Sequence, residues 1–188
     1  MPPGDACTLR LATESDVPAL KVLIEASVRG LSEGVYTPAQ IESALRFVFG
    51  PDSRLIADRT YSVMLAPPDQ LVAAGGWSRR QTLYGGDQMK GAADPLLDPR
   101  SEPARIRAFF VHPGWARRGL GRRLFDRCAA DAAAAGFQTL ELMATLPGEP
   151  LYRALGFHEL DRLETRLPDG TLLPVVRMAR GLAGASVG

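Results

Sequence analysis

Residues 109–124 read FFVHPGWARRGLGRRL: a run of β-formers, a short turn rich in arginine and glycine, and the opening of a helix, in immediate succession. A helix start leaves four backbone N–H groups without intrahelical partners, and the summed peptide dipole adds about half a positive charge there. Gly119 and Gly121 carry no Cβ, so a phosphate can approach the main chain. Arg117, Arg118, Arg122 and Arg123 bring positive charge to the same turn. The pattern predicts a pyrophosphate cradle. The competing reading is a plain strand–helix joint with solvated arginines. No Lys-Ser/Thr follows the glycines, as a nucleoside-triphosphate loop needs, and the G-x-G-x-x-G of a dinucleotide fold is missing.

Moving outward, 188 residues with 46% hydrophobic content suit one domain over residues 1–188 with a substantial core. A net charge of +1 gives no global attraction to nucleic acid or membrane, although seven arginines fall between Arg105 and Arg127. No stacking aromatics interleave with those arginines as a single-strand binder requires, so nucleic acid is not an expected partner. Cys7 and Cys128 are too few for a disulfide scaffold, and Cys128 shares a helical face with Leu120 and Leu124 as a small buried hydrophobe. His112 and His158 are the only histidines, so no metal centre is expected. MPPGDACTL lacks signal architecture and no apolar run spans a bilayer, which points to the cytoplasm.

The periodicity predicts a first strand at 7–12 and an acidic helix start after Thr13. The helix then runs through Val17, Leu20, Leu23, Ile24 and Val28, ended by Gly30. A second helix follows Thr37-Pro38, carries Ile41, Leu45 and Val48 on one face, and is stopped by Gly50-Pro51-Asp52. Residues 61–65 and 71–77 read as a hairpin. Residues 79–104, broken by Gly85-Gly86-Asp87, Pro95, Pro99 and Pro103, read as a long loop, either a substrate-side lid or a disordered segment. A strand at 105–111, the turn, a helix to about Ala135 capped by Gly136, and a strand at 139–144 come next. A short helix at 149–155 and a hairpin of 157–167 with 171–179 complete the pattern, with a frayed tail at 181–188.

The chain resembles the GNAT superfamily of acetyl-CoA-dependent N-acetyltransferases. Val111-His112-Pro113 followed by Gly119 and Gly121 is similar to that family's Val-x-Pro strand end and Q/R-x-x-G-x-G/A helix start. Leu151-Tyr152-Arg153-Ala154-Leu155-Gly156-Phe157 is similar to its lYrklGF segment, and the two motifs stand in the family's order. The likeness is clear over residues 105–160. The family's Gln or Arg is Ala116 here, which removes one side-chain anchor, and LPGEP replaces the family's Asn-x-x-Ala.

The resemblance implies an α/β (α+β) fold: a mixed, mostly antiparallel twisted sheet of about seven strands flanked by helices, with the fourth and fifth strands splayed. It implies that acetyl-CoA binds as cosubstrate. The edge of Phe109, Phe110 and Val111 would bond its pantetheine arm, and the amides of Arg117, Arg118, Gly119, Leu120, Gly121 and Arg122 its pyrophosphate. The reaction would be direct acetyl transfer to the amine of a small molecule or peptide, which needs no enzyme nucleophile. Tyr152 matches the tyrosine that faces the thioester sulfur as general acid; its other reading is an aromatic anchor for the short helix. Glu141, in Leu140-Glu141-Leu142, is the candidate base, or else a solvated or helix-facing carboxylate. Glu149 is a helix-start residue first and a catalytic candidate second, His112 shapes the turn before Pro113 rather than transferring protons, and Trp77 packs the core or rim or else walls the acceptor site. A protein N-terminal acetyltransferase and a non-catalytic CoA sensor are the rival functions, and the family's habits leave a homodimer open.

Overall fold

The computed structural model describes residues 6–91 and 93–182. Its elements run β1 (Thr8–Leu11), α1 (Val17–Ser32), α2 (Pro38–Phe47), α3 (Ser53–Ala57), β2 (Tyr61–Ala66), β3 (Gln70–Ser78) and β4 (Ala104–Val111), then α4 (Leu120–Ala134), β5 (Thr139–Thr145), α5 (Glu149–Ala154), β6 (His158–Arg166) and β7 (Leu172–Gly181). The strands form one seven-stranded sheet in the order β1-β2-β3-β4-β5-β7-β6. Every neighbouring pair is antiparallel except β4 with β5. The mixed, mostly antiparallel sheet flanked by helices is as the motifs imply.

Alternation along the strands sorts side chains onto two faces. On one face Tyr61, Val63, Ala74 and Phe110 pack against Leu20, Leu23 and Ile24 of α1 and Ile41 and Ala44 of α2. On the other, Ile106, Leu140 and Leu142 meet Phe125, Cys128 and Ala132 of α4, with Leu155 and Phe157 beyond. Leu120 and Leu124 cover Met64, Val72 and Ala73. Cys128 is thus the expected buried hydrophobe, and burial pushes its thiol pKa up. Trp77 is a core residue, edge-on to Phe137 with ring centroids 6.0 Å apart. No helix among the described residues is long and apolar enough to cross a membrane.

Three expectations are corrected. Gly50-Pro51-Asp52 is a start as well as a stop: the Asp52 side chain accepts the Leu55 N–H at 3.0 Å and caps α3, which the sequence reading lacked. The tail begins later than expected, since Gly181 ends β7 and the Leu182 N–H donates to the Gln138 carbonyl at 2.8 Å. The remainder of that segment, 183–188, lies outside the described residues. Gly30 does not end α1 but sits inside it. A Cβ there would stand 2.4 Å from Cγ of Pro113, so the missing side chain lets the helix press against the start of the arginine–glycine turn.

At position 30 two effects oppose. Alanine is better than glycine in a helix interior by roughly 1 kcal/mol. Overpacking against a rigid proline ring costs about 1–3 kcal/mol. Gly30→Ala is therefore expected to lower the melting temperature by a few degrees in a calorimetric scan. A rise would show that Pro113 yields at no cost.

Candidate active site

β4 and β5 pair over only two rungs, Ala104 with Leu140 and Arg105 with Glu141. Beyond Arg105 the strands part, while β5 stays paired to β7 from Thr139 to Thr145. β4 also carries a bulge. Ala74 pairs with Phe110 and Gly76 with Arg107, so Ala108 and Phe109 stand opposite the single Gly75. Ala108 takes a left-handed backbone with φ 56°. The bulge keeps Ala108 on the α1 face beside Arg107 and turns Phe109 towards α4 and α5.

Into this gap opens a cleft of about 880 Å³, lined by α1, β4 from Ile106 to Val111, the arginine–glycine turn, the end of β5 and α5. The turn supplies its donors. His112 accepts the Gly114 N–H on Nδ1 at 3.1 Å and so shapes the bend around Pro113. Arg117 and Gly119 follow with φ 62° and 79°, the alternation that points successive N–H groups into one concavity. Among the described residues, nothing accepts a bond from the backbone N–H of Arg117, Arg118, Gly119, Leu120, Gly121 or Arg122. The first closed bond runs from Arg123 to the Gly119 carbonyl at 3.1 Å. Five of these six residues, Arg117 and Gly119 through Arg122, line the same cleft as Phe109, Phe110, Val111 and Tyr152; Arg118 does not.

The side chains of the turn have separate duties. Arg118 lies 4.9 Å from the Trp115 ring centre, and Arg122 donates to the Ala154 carbonyl at 3.4 Å. Gly121 corrects an expectation. Its Cβ position faces Leu151, 2.9 Å away, so its small size lets α5 approach α4 rather than clearing room for a phosphate. Gly119 meets nothing within 4 Å; there the left-handed φ is what calls for glycine.

Tyr152 on α5 stands across the gap, edge-on to Phe109 at 6.2 Å and to Phe157 at 5.8 Å. Burial raises its phenol pKa, so the hydroxyl keeps its proton through the neutral range. Glu141 is not brought to this group, and its expected place as a base beside the substrate is corrected. The residue is 4% exposed and does not line the cleft. Its two oxygens are held by Arg105 at 3.0 Å and Arg177 at 2.5 Å. That ion triad fastens β4, β5 and β7 together at the last rung before the strands part. Glu149 is likewise engaged, with Arg153 at 2.7 Å and Arg162 at 2.5 Å.

The far end of the cleft is walled by Val28, Leu31, Val48 and Phe49, by Met143, and by residues 83–86 of the long loop. Those loop residues are tied down. The Gly86 N–H donates to the Val48 carbonyl at 2.8 Å, and Arg107 donates to the Gly85 carbonyl at 2.5 Å. Arg107 also meets Asp52 at 2.9 Å, and Lys90 closes on the same carboxylate. The sequence reading missed Arg107 and Asp52. An arginine at every second place in Arg105-Ile106-Arg107, inside an otherwise apolar strand, was the signal that buried partners exist.

A family model described as "Acetyltransferase (GNAT) domain" matches residues 79–173, just over half of the chain. No curated protein sequence matches it. Among solved structures, a GCN5-related N-acetyltransferase ("Aminotransferase, Class-II") from Rhodopseudomonas palustris superimposes with a TM-score of 0.69 at 17% identity, covering 93% of this chain and 95% of that one. PaiA N-acetyltransferase from Thermoplasma acidophilum, solved in complex with coenzyme A, gives 0.62 at 12% identity over 93% and 98%. The ribosomal-protein-S18-alanine N-acetyltransferase from Escherichia coli gives 0.59 at 17% over 97% and 99%. Such identities carry the fold and nothing finer. Sheet order, parted strands, turn and matching family model agree, and the chain belongs to the GNAT acetyltransferase family.

Proposed function

We propose that the protein transfers an acetyl group from acetyl-CoA directly to the amine of a small molecule or peptide, with both substrates bound together. The observation that carries this reading is the run of unpaired amides in the turn, of which those of Arg117 and Gly119 through Arg122 belong to residues lining the cleft that also holds the β4 edge and Tyr152. The donor set suits a pyrophosphate: main-chain N–H groups at the N-terminus of a fifteen-residue helix, with arginines around them. The edge of Phe109, Phe110 and Val111 suits an amide-bearing arm, although the Val111 N–H is already bonded to Ser27 Oγ. The PaiA complex with coenzyme A supports a CoA site in this fold.

Acetyl-CoA supplies an acyl group on a thiolate leaving group; the protein holds it, excludes water and provides a proton. Tyr152 holds that proton on its phenol oxygen, kept there by burial. Neither cysteine lines the cleft, which favours direct transfer over an acyl-enzyme. Among the described residues, those lining the cleft include no carboxylate, histidine or lysine. The amine is therefore taken up in its neutral form, and kcat/KM rises with pH towards the amine's own pKa. No descending limb from Tyr152 follows below about pH 10, the ordinary tyrosine value, because its shift is upward. The placement of Tyr152 beside Phe109 favours catalysis over a CoA sensor.

Two variants test the assignment. Gly119→Glu sets a carboxylate in open space at the cradle, and Gly119→Gln imposes a similar backbone strain and size without charge. Calorimetry is expected to show CoA affinity at least about tenfold weaker for Glu than for Gln. Equal affinities would remove the cradle. Tyr152→Phe keeps the ring and loses the hydroxyl; single-turnover acetyl transfer is expected to slow about 100-fold or more with CoA affinity unchanged. An unaltered rate would leave Tyr152 as a packing residue.

A further inference from the structure

α1 presents a buried stripe at Leu20, Leu23, Ile24, Ser27 and Val28, continued by Ser32, and of the two serines Ser27 is the one bonded to β4. It is 5% exposed, yet it lines the cleft. Its Oγ accepts the backbone N–H of Val111 at 3.1 Å. A serine inside a helix commonly turns its hydroxyl back to the carbonyl one turn earlier. Here, among the described residues, the Ser27 hydroxyl proton has no acceptor. A buried donor without an acceptor costs about 1–3 kcal/mol, so a site that keeps one has a use for it.

Position decides what that use is. Val111 is the last residue of β4, three beyond the bulge at Ala108 and six before Arg117, the first free amide of the turn. A chain running from the turn to the ring of Tyr152 passes Val111 before it reaches Phe109. The β4 edge therefore does not offer the Val111 amide outright; Ser27 has taken it, and Ser27 itself lines the cleft.

We propose that Ser27 is a cosubstrate-binding residue: its hydroxyl accepts from the Val111 amide and donates to an amide carbonyl of the pantetheine arm. The assignment extends the edge reading for Phe109, Phe110 and Val111 to a side chain on the opposite wall, and it rests on the acyl-CoA reading. Bonds in such a chain polarise one another, so the hydroxyl is a better donor with Val111 behind it than alone.

The test compares CoA with 3′-phosphoadenosine 5′-diphosphate, which keeps the phosphates and lacks the arm. Calorimetry on Ser27→Ala is expected to show CoA binding weaker by about 3- to 10-fold, with affinity for the armless nucleotide unchanged. Unchanged or tighter CoA binding would overturn the proposal, since Ser27 would then only plug an amide that the arm takes better directly. An equal loss for both ligands would overturn it as well, because the effect would be a general loosening of α1. If wild-type protein bound neither ligand, the acyl-CoA reading itself would fall. Should the variant not fold, amide NMR of the wild type decides. The Val111 resonance is expected to move with CoA and stay still with the armless nucleotide; no movement with CoA overturns the assignment.

Discussion

Everything that sets this site apart follows from where β4 leaves β5. The two are the only parallel neighbours in the sheet, and they share two rungs before separating. Past Arg105 the outer edge of β4 has no strand beside it, and a backbone edge left without partners inside a protein is costly. An open sheet would fill such a gap by sliding the strands together. Here the bulge at Ala108 bends β4 away, while seven rungs hold β5 to β7. The apex is closed by Glu141 between Arg105 and Arg177. Removing one partner of a buried ion pair typically costs about 3–5 kcal/mol, enough to fix the angle at which the slot opens.

The arginine–glycine turn meets that slot because α4 must cross back over the sheet to cover Ile106 and Leu140, which puts its N-terminus at the open end of β4. Helix polarity does the rest. The amides of the turn lack backbone acceptors at the place where β4 runs out, and the glycine inside α1 lets Pro113 seat the turn against the neighbouring helix. The far end of the cleft is built differently, from apolar walls and a loop held by the Asp52–Arg107–Lys90 cluster. One end offers main-chain N–H groups and the other an apolar outline.

How much of this could be read from the chain divides by range. The turn was legible because its chemistry is local: glycine conformations, proline and a helix start lie within sixteen residues. Most helices and strands were legible for the same reason, among them α2 after Thr37-Pro38, whose start the structure closes with a Thr37–Gln40 capping pair. Gly30 was misread because glycine in a helical pattern signals either an end or a close contact, and the contact, Pro113, is over eighty residues away. Glu141 was misread because alternation gives the face of a strand residue but not its partners on β4 and β7. The same limit hid Ser27, whose significance depends on an amide in another element.

The central claim is that the amides of Arg117 through Arg122 receive the pyrophosphate of CoA. Amide NMR of isotope-labelled protein during titration with CoA tests it most directly. The account predicts that the resonances of those six residues shift most and that their hydrogen exchange slows in the complex. Saturable CoA binding that leaves all six unmoved would contradict it.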